Sequence, residues 1–257
     1  MAKTDLATGR FGGADEICRA SSGIFTELGY PESASRFSVH PMLDKLAWHS
    51  LRGSTRKNGD ASLTEPVVGD PYQNARWFER DHPQDVSLHS ELVASFPADA
   101  GQPEVKFNVD DEFAEVIVGA DQLLEELMPE LWHSIRPFIV RVFDANSPTI
   151  LSATLDDTGG AVLLGKPASD DGTRWRGQFI TVAEGLLHEG AHCKSYRLFR
   201  SFSEVAVPDS PEFIDIPWWK TRDSSWSWDV DRAVVACHVY THLAQLYGHA
   251  AGRDEAY

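Results

Sequence analysis

The sequence predicts an α+β fold: mostly helical, with a small antiparallel sheet preceding a metal-binding HExxH helix. Three observations lead there. Residues 110–135 carry one apolar stripe at helical spacing. Residues 138–164 break into short β-type runs separated by turn residues. Residues 178–202 and 229–248 then return to the helical period.

The elements follow in chain order. A short helix is expected over residues 15–28, ended by Gly29 and followed by Pro31. Another runs over residues 40–52, with Pro41 in its first turn and Met42, Leu43, Leu46 and Leu51 at helical spacing. Residues 53–69 are rich in Gly, Ser, Asn and charge and suit an exposed loop, as do residues 98–103. Between them, residues 73–80 and 87–96 suit short helices. Asp110 and Asp111 are placed to cap the next helix, whose stripe is Phe113, Val116, Ile117, Ala120, Leu123, Leu124, Leu127 and Leu131. Pro129 within that stripe predicts a kink or a break.

Residues 138–143, 149–154 and 161–164 are the strand candidates, with turns at residues 146–148 and 156–160. Residues 208–219 contain three prolines and predict irregular structure before the final helix.

Composition bounds what such a chain can do. Its 257 residues suffice for a sizeable core, and 42% hydrophobic with 24% charged residues is ordinary for a globular protein. The formal net charge of −16 repels phosphate backbones and anionic lipid, so neither nucleic acid nor a membrane is an expected partner. Three scattered cysteines, Cys18, Cys193 and Cys237, make no disulfide framework and suit a reducing cytoplasm. The N-terminal stretch lacks a signal peptide's apolar core, and the apolar runs are too short to span a bilayer.

The chemistry lies in His188-Glu189-Gly190-Ala191-His192. Residues four apart share a helix face, so both imidazoles can reach one ion, and Glu189 can lean toward a metal-bound water. Val182, Leu186, Leu187 and Ala191 give the helix an apolar side for burial. Gly190 fits a close approach, because a glycine inside a buried helix otherwise costs about 1 kcal/mol against alanine.

The third ligand decides the reaction. An astacin-like extension needs Gly at 195 and His at 198, where this chain has Ser195 and Leu198. Glu204 and Glu212 are downstream carboxylates of the kind a zinc peptidase recruits. His238 and His242, again four apart, lie on the last helix. His238 is favoured as third ligand, with His242 supporting, and His249 near the terminus is expected in solvent.

The run ILSATLDDTGGAVLLG, then AEGLLHEGAHCKS, a Trp- and Arg-bearing stretch, and a helix with VYTHLAQLY resembles the HEXXH-motif domain family of peptide-maturation gene clusters, described as 2-oxoglutarate-dependent HExxH-type peptide β-hydroxylases. The resemblance covers roughly residues 145–250. Family members often carry prolines before the last helix, which Trp228-Asp-Val-Asp231-Arg232 lacks.

The resemblance implies an Fe(II) site with 2-oxoglutarate as co-substrate, hydroxylating the β-carbon of a peptide or carrier-bound amino-acid side chain. Glu189 then orients ligands or water rather than acting as base. Three protein ligands on one face would leave positions for keto acid and O₂. The distal carboxylate of 2-oxoglutarate needs a cation, for which Arg232 is the candidate and Arg222 the alternative. The competing readings are a Zn2+-dependent metallopeptidase, with Glu189 as general base, and a non-catalytic peptide-binding module.

Residues 1–257 read as a single catalytic domain: an N-terminal helical part to about residue 136 and a metal-binding part over about residues 137–250. Trp218, Trp219, Trp226 and Trp228 anchor an irregular segment or line a groove. Cys193 and Cys237 read as buried packing residues beside the proposed ligands.

Overall fold

A computed structural model describes residues 16–17, 41–42, 45, 77–80, 84–95, 105–146, 151–155, 158–167, 174–202, 213–215 and 227–254. Its elements are α1 (Asp85–Ser95), α2 (Asp111–Leu127), α3 (Pro129–Ile135), a 3-10 turn (Arg136–Phe138), β1 (Arg141–Asp144), β2 (Ser152–Thr154), β3 (Ala161–Leu164), α4 (Arg174–Phe202), β4 (Phe213–Asp215), β5 (Ser227–Asp229) and α5 (Val230–Asp254). The arrangement is α+β, as expected.

Local chemistry explains the first helices. Asp110 has extended backbone, and its carboxylate accepts the Phe113 amide at 2.8 Å, which satisfies one of the free N–H groups that open α2. The stripe Phe113, Val116, Ile117, Ala120 and Leu124 is buried, each large side chain contributing about 1.5–3 kcal/mol by leaving water. The helix stops at Leu127, and Pro129 opens α3 at a position where its missing N–H costs nothing. The expected break is therefore real.

The sheet needs a correction. β2 and β3 pair antiparallel, with Ser152 opposite Leu164 and Thr154 opposite Val162, but β1 pairs with β3 in parallel, Arg141 opposite Ala161. The order β1-β3-β2 makes the sheet mixed rather than antiparallel. Gly160, at φ +101°, turns the chain into β3, which pairs back on β2 and leaves its other edge to β1. The first strand also starts later than the apolar run suggested. Residues 136–138 close a 3-10 turn through Pro137, with the Arg136 guanidinium held by Asp121 at 2.8 Å.

Within residues 208–219, read as irregular, Phe213–Asp215 form a strand paired antiparallel with Ser227–Asp229. Glu16 and Ile17, and Pro41, Met42 and Lys45, are helical, in line with the first two expected helices. The expected loops at 53–69 and 98–103 lie outside the described residues.

The main core joins α2, α3, β1, β3, α4 and α5 and includes Ile17 and Trp77 from far upstream. A second cluster sets Leu88 and Leu92 of α1 against Phe143 and Leu163, and buried ion pairs reinforce both packings. Arg141 on β1 meets Asp85 on α1 at 2.9 Å, and Asp121 on α2 takes both Arg136 and, at 2.8 Å, the Trp132 indole N–H. No helix among the described residues is long and apolar enough to cross a membrane.

Glycines set how close α4 lies to its neighbours. A Cβ on Gly190 would stand 2.7 Å from Ile135 Cγ2 and 3.0 Å from Ile139 Cδ1, and one on Gly185 would stand 3.0 Å from Leu164 Cδ2. The close approach inferred from Gly190 is thus present. Gly190→Ala should destabilise the protein by about 1–3 kcal/mol from overpacking, less the small gain in helix propensity. Gly177→Ala, where a Cβ would meet nothing within 4 Å, should instead stabilise by up to about 1 kcal/mol. Urea unfolding of both variants checks this; equal effects would contradict the packing described. Separately, Arg141→Met should cost about 3–5 kcal/mol by stranding Asp85 in the core, and a near-neutral result would refute that role.

Candidate metal centre

The motif sits midway along α4, between the edge strand β2 and the final helix. Cys193 fixes α4 to the sheet: its buried Sγ accepts the Gly160 amide at 3.3 Å and lies 3.5 Å from Thr154 Oγ1. Burial pushes its thiol up to about 11, so it stays protonated and packs, as expected. Cys237, by contrast, is exposed and not the buried packing residue anticipated. It falls on the side of α5 opposite the buried Val235–Val239–Leu246 face.

α5 packs antiparallel on α4. Tyr247 donates to the Glu184 carboxylate at one end, and the Tyr240 ring meets His188 edge-on at 6.3 Å farther along. His188 and His192 are half-buried, with Nε2 atoms 3.2 Å apart. That separation fits one ring donating to the other. It equally fits two ligands of one ion, since metal–nitrogen bonds of about 2.1 Å at 90–109° put the nitrogens roughly 3.0–3.4 Å apart.

His188, Glu189 and His192 form a group whose ligand atoms all lie within 4.8 Å of one another, so it can hold a metal ion. Glu189 is buried, accepts the Ser152 hydroxyl at 2.7 Å, and stands 3.9 Å from His188 Nε2. The donor set fits a borderline divalent ion, and an unpartnered atom points the same way: His192 Nδ1 is buried with no hydrogen bond.

Electrostatics keep the imidazoles neutral, the form that ligates. Burial, and then the neighbouring His188 and Arg232, push His192 down to about 4; burial also lowers His188, partly opposed by Glu184. Burial raises Glu189 to about 7, against the pull of the Ser152 hydrogen bond.

The remaining candidates fall as follows. His238, favoured from sequence as third ligand, faces His242, with Nε2 atoms 3.2 Å apart, and is not a member of the motif group. It is near enough to His192 for the charges to interact. His242 is fully buried and His249 is exposed, the latter as expected. Arg232 is exposed and close enough to depress His192. Glu204, Glu212, Arg222, Trp218, Trp219 and Trp226 lie outside the described residues.

Three contributors escaped the sequence. Ser152 carried no signal beyond lying in a strand candidate. Tyr240 lies on a helix face whose orientation needs the packing of α5. Lys194 is fully buried, donating to Ser134 at 3.1 Å, although a lysine on a helix reads as solvated. A scan against protein-family models gives no match for the chain, and a search of curated proteins gives none either.

Ser152→Ala should weaken metal binding at the motif by about 10–100-fold, because Glu189 loses the partner that orients it. Chelator competition measures this; an unchanged affinity would remove Ser152 from the site.

Proposed function

We propose that this chain is an Fe(II)- and 2-oxoglutarate-dependent hydroxylase acting on a peptide or carrier-bound amino-acid side chain. The observation that carries the reading is the donor set: two imidazoles and one carboxylate gathered on one side of a helix, 3.2 Å and 3.9 Å apart at their nearest pairs. Two histidines and a carboxylate with open positions are the ligands that non-haem Fe(II) oxygenases use. The order of segments over residues 145–250, which resembles the HExxH-type β-hydroxylases, supplies the reaction class.

Each residue has a part in this reading. His188 and His192 hold the ion through Nε2. Glu189 completes the face or orients a bound water, and Ser152 fixes its carboxylate. Arg232, on the His192 side, pairs with the distal carboxylate of 2-oxoglutarate. With O₂ as oxidant, a bound Fe(II) would activate the oxygen and 2-oxoglutarate would supply two electrons, leaving as succinate and CO₂ while the second oxygen atom enters the C–H bond.

A zinc peptidase is the second reading, and one distance favours it. Glu189 stands farther from His188 than His192 does, the placement of a base acting on a ligand water rather than of a ligand.

Anaerobically purified protein loaded with Fe(II) should release succinate from 2-oxoglutarate on admission of O₂, and His188→Ala should abolish it. No succinate from wild type would overturn the hydroxylase. Peptide cleavage by the Zn2+-loaded protein, falling about 10²–10⁴-fold in Glu189→Gln, would establish the peptidase instead.

A further inference from the structure

The second histidine pair repeats the geometry of the first. His238 and His242 lie one turn apart on α5, their Nε2 atoms 3.2 Å from each other and their ring centroids 4.2 Å apart. His242 is fully buried, and its Nδ1 has no hydrogen bond of normal geometry, although Gln245 acts on the ring's proton. The Nε2 partner of each ring is thus the other imidazole, the same arrangement as at the motif, and no carboxylate lies one turn along the helix from either ring.

We infer that His238 and His242 form a second metal-holding pair, taking a borderline divalent ion such as Co2+, Ni2+ or Zn2+ through both Nε2 atoms. The pair does not belong to the motif's ligand group. Each pair closes on itself at 3.2 Å, whereas the motif group whose ligand atoms fall within 4.8 Å consists of His188, Glu189 and His192, without His238. Two imidazoles set by i and i+4 spacing leave the other coordination positions to water.

The surroundings set its strength. Lys194, held by Ser134, is close enough to act on both rings, and His192 acts on His238. A fixed ammonium nearby and only two protein ligands make this the weaker of the two sites. The inference does not depend on which metal or reaction the motif supports.

Counting bound Co2+ by elemental analysis and visible absorption tests it, with full-length protein at saturating metal. Wild type should bind about two equivalents, the second more weakly, and His238→Ala about one, because a lone imidazole cannot retain the ion. His188→Ala should also keep about one equivalent, now with the weaker affinity. His238 is half-buried, so the alanine variant should fold, and His238→Gln repeats the test with a polar side chain of similar size. A single equivalent in wild type, or an unchanged second equivalent in both His238 variants, would overturn the second site. So would loss of all binding in His188→Ala and in His238→Ala alike, since both pairs would then serve one ion.

Discussion

The motif helix can present its imidazoles where it does only because it lies against its neighbours at glycine distance. At Gly190 the side chains of Ile135 and Ile139 occupy the space a Cβ would need, and at Gly185 Leu164 and Ser152 do the same. This approach brings Ser152 within hydrogen-bonding distance of Glu189 and Cys193 onto the Gly160 turn. A helix held farther off would leave Glu189 without its partner. The site is therefore a consequence of backbone packing, with the polar contacts following from it.

The same packing governs the charges. Burial keeps His188, His192, His238 and His242 neutral, and it raises Glu189 toward neutrality. Neutral nitrogens beside a carboxyl group whose proton a bound cation would displace are the chemistry of a divalent site. Farther away, charges are treated in the opposite manner: Asp85 with Arg141, and Asp121 with Arg136, are buried as ion pairs that tie helices to the strand and turn beside them.

Much of this was legible along the chain. The Asp110 cap, the apolar stripe of α2, its break at Pro129 and the span of β3 follow from local rules, and the structure has each of them. His188, Glu189 and His192 share a side of α4 because four-residue spacing on a helix leaves no other outcome. What depended on tertiary pairing was not legible. The parallel match of β1 with β3, the β4–β5 ladder inside a proline-rich stretch, and the choice of Ser152 as partner to Glu189 are set by elements far apart in sequence. The exposure of Cys237 is hidden for a related reason: its position beside His238 says nothing of which way α5 turns toward α4.

The central claim is an ion shared by His188 and His192. Anomalous diffraction from crystals grown with one equivalent of Co2+ or Zn2+ addresses it directly. A peak about 2.1 Å from both Nε2 atoms, with Glu189 alongside, is the expected result. Density at the metal edge elsewhere, with the two imidazoles still hydrogen-bonded to each other, would contradict it.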